Sequence, residues 1–228
     1  MDEHVNKPMP ALYTEIKPVN TTRSLMAAAL ITFTGGFLDA FTYVGHDGVF
    51  ANAMTGNIVL IGVLCAAGKW SELFNHIPPL IAFIAGIFIV YKKQLSGHSL
   101  IFHQLATASL FLEIMILLIF SMQPRSFPGY VLVPGIALVA SIQYESFART
   151  EKYTYNSVTV TVNLKKFVEA ICDYRLTGNA DSRSRKKLFG LVTFSFLAGA
   201  VAGAFATGRM ENTALLIPIL ALLCVWYL

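Results

Sequence analysis

The sequence predicts an all-α fold: a polytopic helical membrane protein with six full spans plus two re-entrant or short segments, and an internal repeat. Three observations predict it. Charged residues make up 13% of the 228 and hydrophobic residues 55%, with a mean hydropathy of +0.61; soluble domains carry about 25% charge. Uninterrupted apolar runs occupy Leu25 to Val44, Leu105 to Met122, Leu188 to Thr207 and Thr213 to Leu228, near the ~17–25 residues a helix needs to cross a bilayer. Two other segments carry polar steps, "FANAMTGN" from Phe50 and "SVTVTVN" from Ser157. The long runs are apolar on all faces, whereas a membrane β-barrel alternates in short segments.

The elements follow in order. Residues 1–23 hold Pro8, Pro10, Pro18 and mixed charge, the composition of a disordered tail. Residues 24–228 form one membrane domain. No cleavage site precedes Leu25, so the first run is read as a span and not as a leader. Segment one is Leu25 to Val44 and segment two is Phe50 to Gly68. Segment three, Ile77 to Tyr91, opens with Pro78-Pro79, tolerated at a helix start. Segment four is Leu105 to Met122, segment five Tyr130 to Phe147, segment six Ser157 to Cys172. Segments seven and eight are Leu188 to Thr207 and Thr213 to Leu228. Segment six contains Lys165, Lys166 and Glu169. Each would cost about 2.5–3.5 kcal/mol near a helix centre, which makes a poor full span.

The halves, about 24–122 and 123–228, resemble each other. Thr55-Gly56-Asn57 matches Thr161-Val162-Asn163 at a spacing of 106 residues, and Asp39-Ala40-Phe41 matches Glu145-Ser146-Phe147 at the same spacing. Phe83 to Gly86 matches Phe196 to Gly199 at 113. The shared order points to an internal duplication. Basic residues set the topology. With six spans and a cytoplasmic N-terminus, Lys7, Lys17, Arg23, Lys92, Lys93 and nine more between Arg149 and Lys187 lie inside, 14 of 17. With eight spans and a parallel repeat, only 10 lie inside, 5 lie outside, and Lys165 and Lys166 stay in lipid. The positive-inside rule favours six. Each half then has three spans, so the copies lie inverted, and segments two and six dip in from opposite faces.

Several residues are candidates for a binding site. Asp39 sits about 7–8 Å from the end of segment one at 1.5 Å per residue. It either binds a proton or cation, or orients Thr55 and Asn57, or else it caps a neighbouring helix or pairs with a basic side chain. Glu113 is the deepest carboxylate, and an ionisable group inside a membrane is a functional hypothesis by default. Asn52, Thr55, Gly56 and Asn57 are read as both capping segment two and lining a cavity. In the second half, Glu145, matched to Asp39 at the 106-residue spacing, and Gln143 are the further candidates. Gly199 and Gly203 form a GxxxG step for close helix packing, within the protomer or between protomers of a homo-oligomer. The cysteines Cys65, Cys172 and Cys224 are scattered. No metal-ligand spacing occurs, and no metal or cofactor is expected.

Gly36-Phe37-Leu38-Asp39-Ala40, then Phe50 and Met54-Thr55-Gly56-Asn57-Ile58-Val59-Leu60-Ile61-Gly62, resemble the YoaK family of multi-pass membrane proteins, a domain of unknown function. The resemblance covers roughly residues 24 to 228. The family pattern continues with a G-x-Q-N-A step. Here Gln143 stands at its glutamine, while Tyr144 and Glu145 replace Asn-Ala, and Val162 replaces a later glycine.

The expected function is a transporter or permease for a small solute or ion in the inner (plasma) membrane. Its substrate would sit between segments two and six while the halves rock. The alternative is a membrane sensor or scaffold whose polar residues only join helices. An enzyme is not expected, since no HExxH or GxSxG step is present. The net charge of +4 reports orientation in the bilayer, and no nucleic-acid partner is expected.

Overall fold

The computed structural model describes residues 21–95, 101–147, 149–150 and 153–228. The tail expected over 1–23 lies outside these residues, except for 21–23, which open the first helix. The helices are α1 (Thr21–Gly45), α2 (Met54–Ala66), α3 (Trp70–Phe74), α4 (Ile77–Leu95), α5 (Ile101–Ser121), α6 (Gly129–Ser146), α7 (Thr161–Thr177), α8 (Ala180–Met210) and α9 (Leu216–Tyr227). A 3₁₀ turn, Glu211–Leu215, joins α8 to α9. Arg149–Thr150 (β1) and Tyr153–Thr154 (β2) form a two-residue antiparallel pair.

All eight expected segments carry a helix. The short α3 was not expected, and α8 begins eight residues before its apolar run. Leu25–Gly45, Trp70–Lys93 and Ala180–Tyr227 are long and apolar enough to cross a membrane, while Met54–Ala66 and Leu105–Ser121 are apolar but shorter. The turn between α7 and α8 has a local cause. Gly178 takes the left-handed conformation at φ 62°, which glycine adopts without a Cβ penalty. Asn179 then accepts the Ser182 N–H at 2.7 Å and caps α8.

Large apolar side chains cover the outside of the bundle as well as filling its core. Ile81, Ile84 and Phe88 of α4 and Phe194, Leu197, Val201 and Phe205 of α8 face outward at helical spacing. Polar side chains lie inside: Ile84 is 63% exposed, whereas Glu113, Asn57, Asn163 and Ser141 are 0% exposed. An apolar surface this continuous fits lipid. α6 is the central helix, buried from Leu132 to Gln143 along most of its length.

Two glycine seams hold the bundle. α1 packs most extensively along α8. A Cβ on Gly199 would fall 2.0 Å from the Phe33 carbonyl oxygen, and one on Gly203 2.5 Å from that of Phe37. From the other side, a Cβ on Gly36 would fall 2.1 Å from the Phe196 carbonyl oxygen. The Gly199 and Gly203 contact is thus made within the chain. The second seam joins α4 to α6, where a Cβ on Gly86 would fall 2.7 Å from the Leu138 carbonyl oxygen.

Three loops gather at one end of the bundle. Arg125 pairs with Glu211 at 3.1 Å, Asn212 Nδ2 donates to the carbonyls of Gln123 and Pro124, and the His46 side chain packs on Gly129. β2, α7 and the start of α8 meet in another cluster, where Tyr153 donates to Asp181 at 2.7 Å.

The seams predict a sharp contrast between glycines. Gly199→Ala and Gly203→Ala should each destabilise by about 1–3 kcal/mol, because a backbone carbonyl must yield. Gly62→Ala and Gly208→Ala meet no atom within 4 Å and should be neutral or gain up to about 1 kcal/mol of helix propensity. Thermal unfolding in detergent reads the difference.

Candidate functional site

The loop between α1 and α2 is the most polar interior region. It runs through protein with four successive backbone N–H groups, and each has a side-chain acceptor. Phe50 N–H donates to Asn57 Oδ1 at 3.0 Å. Ala51 N–H donates to Thr42 Oγ1 at 3.1 Å. The N–H groups of Asn52 and Ala53 both donate to Asp39 Oδ1, at 2.7 and 3.1 Å. Asn57 closes the ring by donating from Nδ2 to the Phe50 carbonyl at 2.7 Å. Unpaired backbone at such depth is costly, so these acceptors are what allow an irregular loop there.

Asp39 therefore caps the entry to α2, and its Oδ2 is buried with no hydrogen-bond partner. Asn52 donates from Nδ2 to the Gly35 carbonyl at 3.2 Å, bridging back one turn of α1; its Oδ1 is also buried and unpartnered. Gly56 serves packing: a Cβ there would meet the Phe50 ring at 2.9 Å, and that ring stacks on Tyr43 at 4.8 Å. Thr55 is exposed, and no described hydrogen bond joins its hydroxyl to the cluster.

The loop before α7 repeats the clamp. Asn156 N–H donates to Asn163 Oδ1 at 3.0 Å, and Asn163 Nδ2 donates to the Asn156 carbonyl. The positions equivalent to Asn52 and Ala53 at the 106-residue spacing are Val158 and Thr159. Their N–H groups go to Asn156 Oδ1, at 3.0 and 2.8 Å. Asn156 thus takes over the capping that Asp39 performs in the first half. Glu145, matched to Asp39 by sequence, is half-buried and joins no described hydrogen bond.

Glu113 and Gln143 form a second, separate pair. Both are buried, and Gln143 Nε2 donates to Glu113 Oε2 across α5 and α6. Glu113 Oε1 has no partner.

Of the expected site residues, the fold unites Asp39, Asn52, Gly56 and Asn57, and separately Glu113 with Gln143. Sequence reasoning missed Thr42, His76 and Asn156. His76 lies before α4, with Nδ1 3.1 Å from Asn57 Oδ1. Its 19-residue separation from Asn57 left no local signal. Asn156 was findable, because the pairs Phe50–Asn57 and Asn156–Asn163 share one spacing.

Asn57→Ala should strand both polar groups of Phe50, at about 1–3 kcal/mol for each. Asp39→Asn keeps an oxygen acceptor for the two N–H groups and should cost clearly less than Asp39→Ala. Unfolding temperatures of the purified variants give this ranking; an Asn57→Ala protein as stable as the parent would refute the clamp.

A family model described as "Protein of unknown function (DUF1275)" matches residues 27–228. The chain is 26% identical to "UPF0700 transmembrane protein YoaK" of Bacillus subtilis (strain 168), over 84% of this chain and 87% of that relative. No solved structure matches the chain. With nearly the whole described bundle under one family model, this chain belongs to the DUF1275 family of YoaK-like membrane proteins.

Proposed function

We propose that the protein is a small-solute or ion permease of the inner (plasma) membrane, built as an inverted repeat of six spans with a cytoplasmic N-terminus. α2 and α7 are the re-entrant elements. The observation that carries the reading is the doubled asparagine clamp. Phe50–Asn57 and Asn156–Asn163 make the same two hydrogen bonds over the same interval, 106 residues apart. Helix contacts exchange in the same manner. α1 on α8 corresponds to α4 on α6, α1 on α9 to α6 on α5, and α2 on α4 to α7 on α8.

Two facts support six spans. α2 has 13 residues, about 20 Å at 1.5 Å per residue, short of a ~30 Å hydrocarbon core. The Arg125–Glu211 pair needs both loops on one side of the membrane, which eight spans would forbid. Permeation is supported by two buried carboxylates with unpaired oxygens, Asp39 beside irregular backbone and Glu113 between α5 and α6; such groups mark ion and substrate paths in membrane proteins. The reading assigns no catalytic role. One observation favours a sensor or scaffold instead: the loop N–H groups are fully engaged, so they offer nothing more to a solute.

Two measurements decide. With Cys65, Cys172 and Cys224 replaced, an impermeant thiol reagent on intact cells should label Ser71→Cys and spare Lys92→Cys; the reverse pattern means eight spans. Proteoliposomes are then challenged with gradients of protons, sodium, potassium and small neutral solutes. One gradient should collapse faster than in empty liposomes, and Asp39→Asn and Glu113→Gln should abolish the difference. No flux for any of them would favour the scaffold.

A further inference from the structure

We propose that Asp39 Oδ2, Asn52 Oδ1 and Ser157 Oγ ligate one sodium ion beside Gly35 of α1. The assignment deepens the permease reading and rests on it for its purpose, since the ion would be the one coupled to transport. Its geometry stands separately.

Gly35 is where the two loops meet. Its carbonyl accepts Asn52 Nδ2 at 3.2 Å. A Cβ on it would fall 2.4 Å from the Ser157 carbonyl oxygen, so the loop before α7 lies directly on the helix. Asp39 is one turn further along the same helix and holds the Asn52 N–H at 2.7 Å. Asp39, Asn52 and Ser157 are 4%, 1% and 1% exposed. One oxygen on each is buried without a hydrogen-bond partner.

Two of these oxygens, the carboxylate and the amide, can only accept unless Asp39 is protonated. Both therefore call for a positively charged or donating partner, and Ser157, on the loop that lies against Gly35, brings a third unpartnered oxygen. The Asp39 charge needs one too. No described lysine, arginine or histidine forms an ion pair with it, and an isolated buried charge is not sustained. A proton on Asp39 would serve one of these oxygens and the Ser157 hydroxyl can donate to another, so the proton is the competing counter-charge that the test separates. A metal ion satisfies all three. The set contains oxygen alone, the chemistry of a hard cation. It carries a single negative charge, which neutralises a monovalent ion and would leave a divalent one uncompensated. Ligands from both loops would make occupancy depend on the two halves meeting at α1.

The test uses the whole purified protein in detergent. Its unfolding temperature is measured over a sodium chloride series, with choline chloride holding ionic strength constant, and radioactive sodium binding is measured in parallel. A ligand held by the folded state raises stability with its concentration. The expected result is a saturating rise with sodium that choline does not reproduce. Asp39→Asn should remove it, and Ser157→Ala should raise the half-saturating concentration several-fold. Identical curves in sodium and choline overturn the site. So does a sodium response that survives both substitutions, or a stabilisation that follows pH and ignores sodium, which would make the proton the counter-charge. A sodium response in a protein without flux leaves the site and removes the permease. Flux with no sodium response does the opposite.

Discussion

Everything in this molecule depends on giving hydrogen-bond partners to non-helical backbone inside an apolar bundle. A helix satisfies its own interior groups; the chain entering α2 cannot. Residues 50–53 turn inward, and their N–H groups are met one by one by Asn57, Thr42 and Asp39. Asp39 and Thr42 sit on α1, which apolar packing fixes, whereas Asn57 is the buried side chain of α2. Phe37, Leu38 and Phe41 lock α1 into the main core, which aims Asp39 and Thr42 at the loop. Core packing and polar satisfaction are therefore one design: without the packed α1, the loop would have no stable path at that depth.

The two halves solve this problem with different residues. In the first, a carboxylate from the preceding helix takes two N–H groups. In the second, Asn156 takes the equivalent two from within the loop itself. A neutral amide avoids burying a charge there. The first half keeps a carboxyl group, with one unsatisfied oxygen on it and another on Asn52. A purely structural cap has no need of an ionisable group, and in this the first loop differs from the second.

Much of this was legible in the sequence because transfer free energy is a local property. Apolar runs mark helices whatever they pack against, and the tandem spacing of Asn57 and Asn163 survives as plain arithmetic. What hydropathy cannot see is polar structure. α3 and the first turns of α8, from Asp181 to Lys187, are amphiphilic or charged, so they vanish from an apolar scan. Partners across the chain vanish too: His76 meets Asn57 only through folding. Similarity also misled in one respect. Aligning Asp39 with Glu145 was sound as sequence, but the capping duty had moved to Asn156, eleven positions along. Thr55, prominent in its motif, turned outward because Gly56 and Asn57 occupy the inward face of that turn.

The glycine seams constrain how the molecule can move. One seam binds α1 of the first half to α8 of the second; the other binds α4 of the first to α6 of the second. At the first seam helix backbone lies directly on helix backbone; at the second, the Ser141 hydroxyl and the Leu138 carbonyl both lie against Gly86. Sliding along such a contact would drive carbonyl oxygens into α-carbons. α1 with α8, and α4 with α6, are therefore the pairs that resist sliding. The loops before α2 and α7 both rest on Gly35 of α1, so the α1–α8 seam fixes the position of both loops at once.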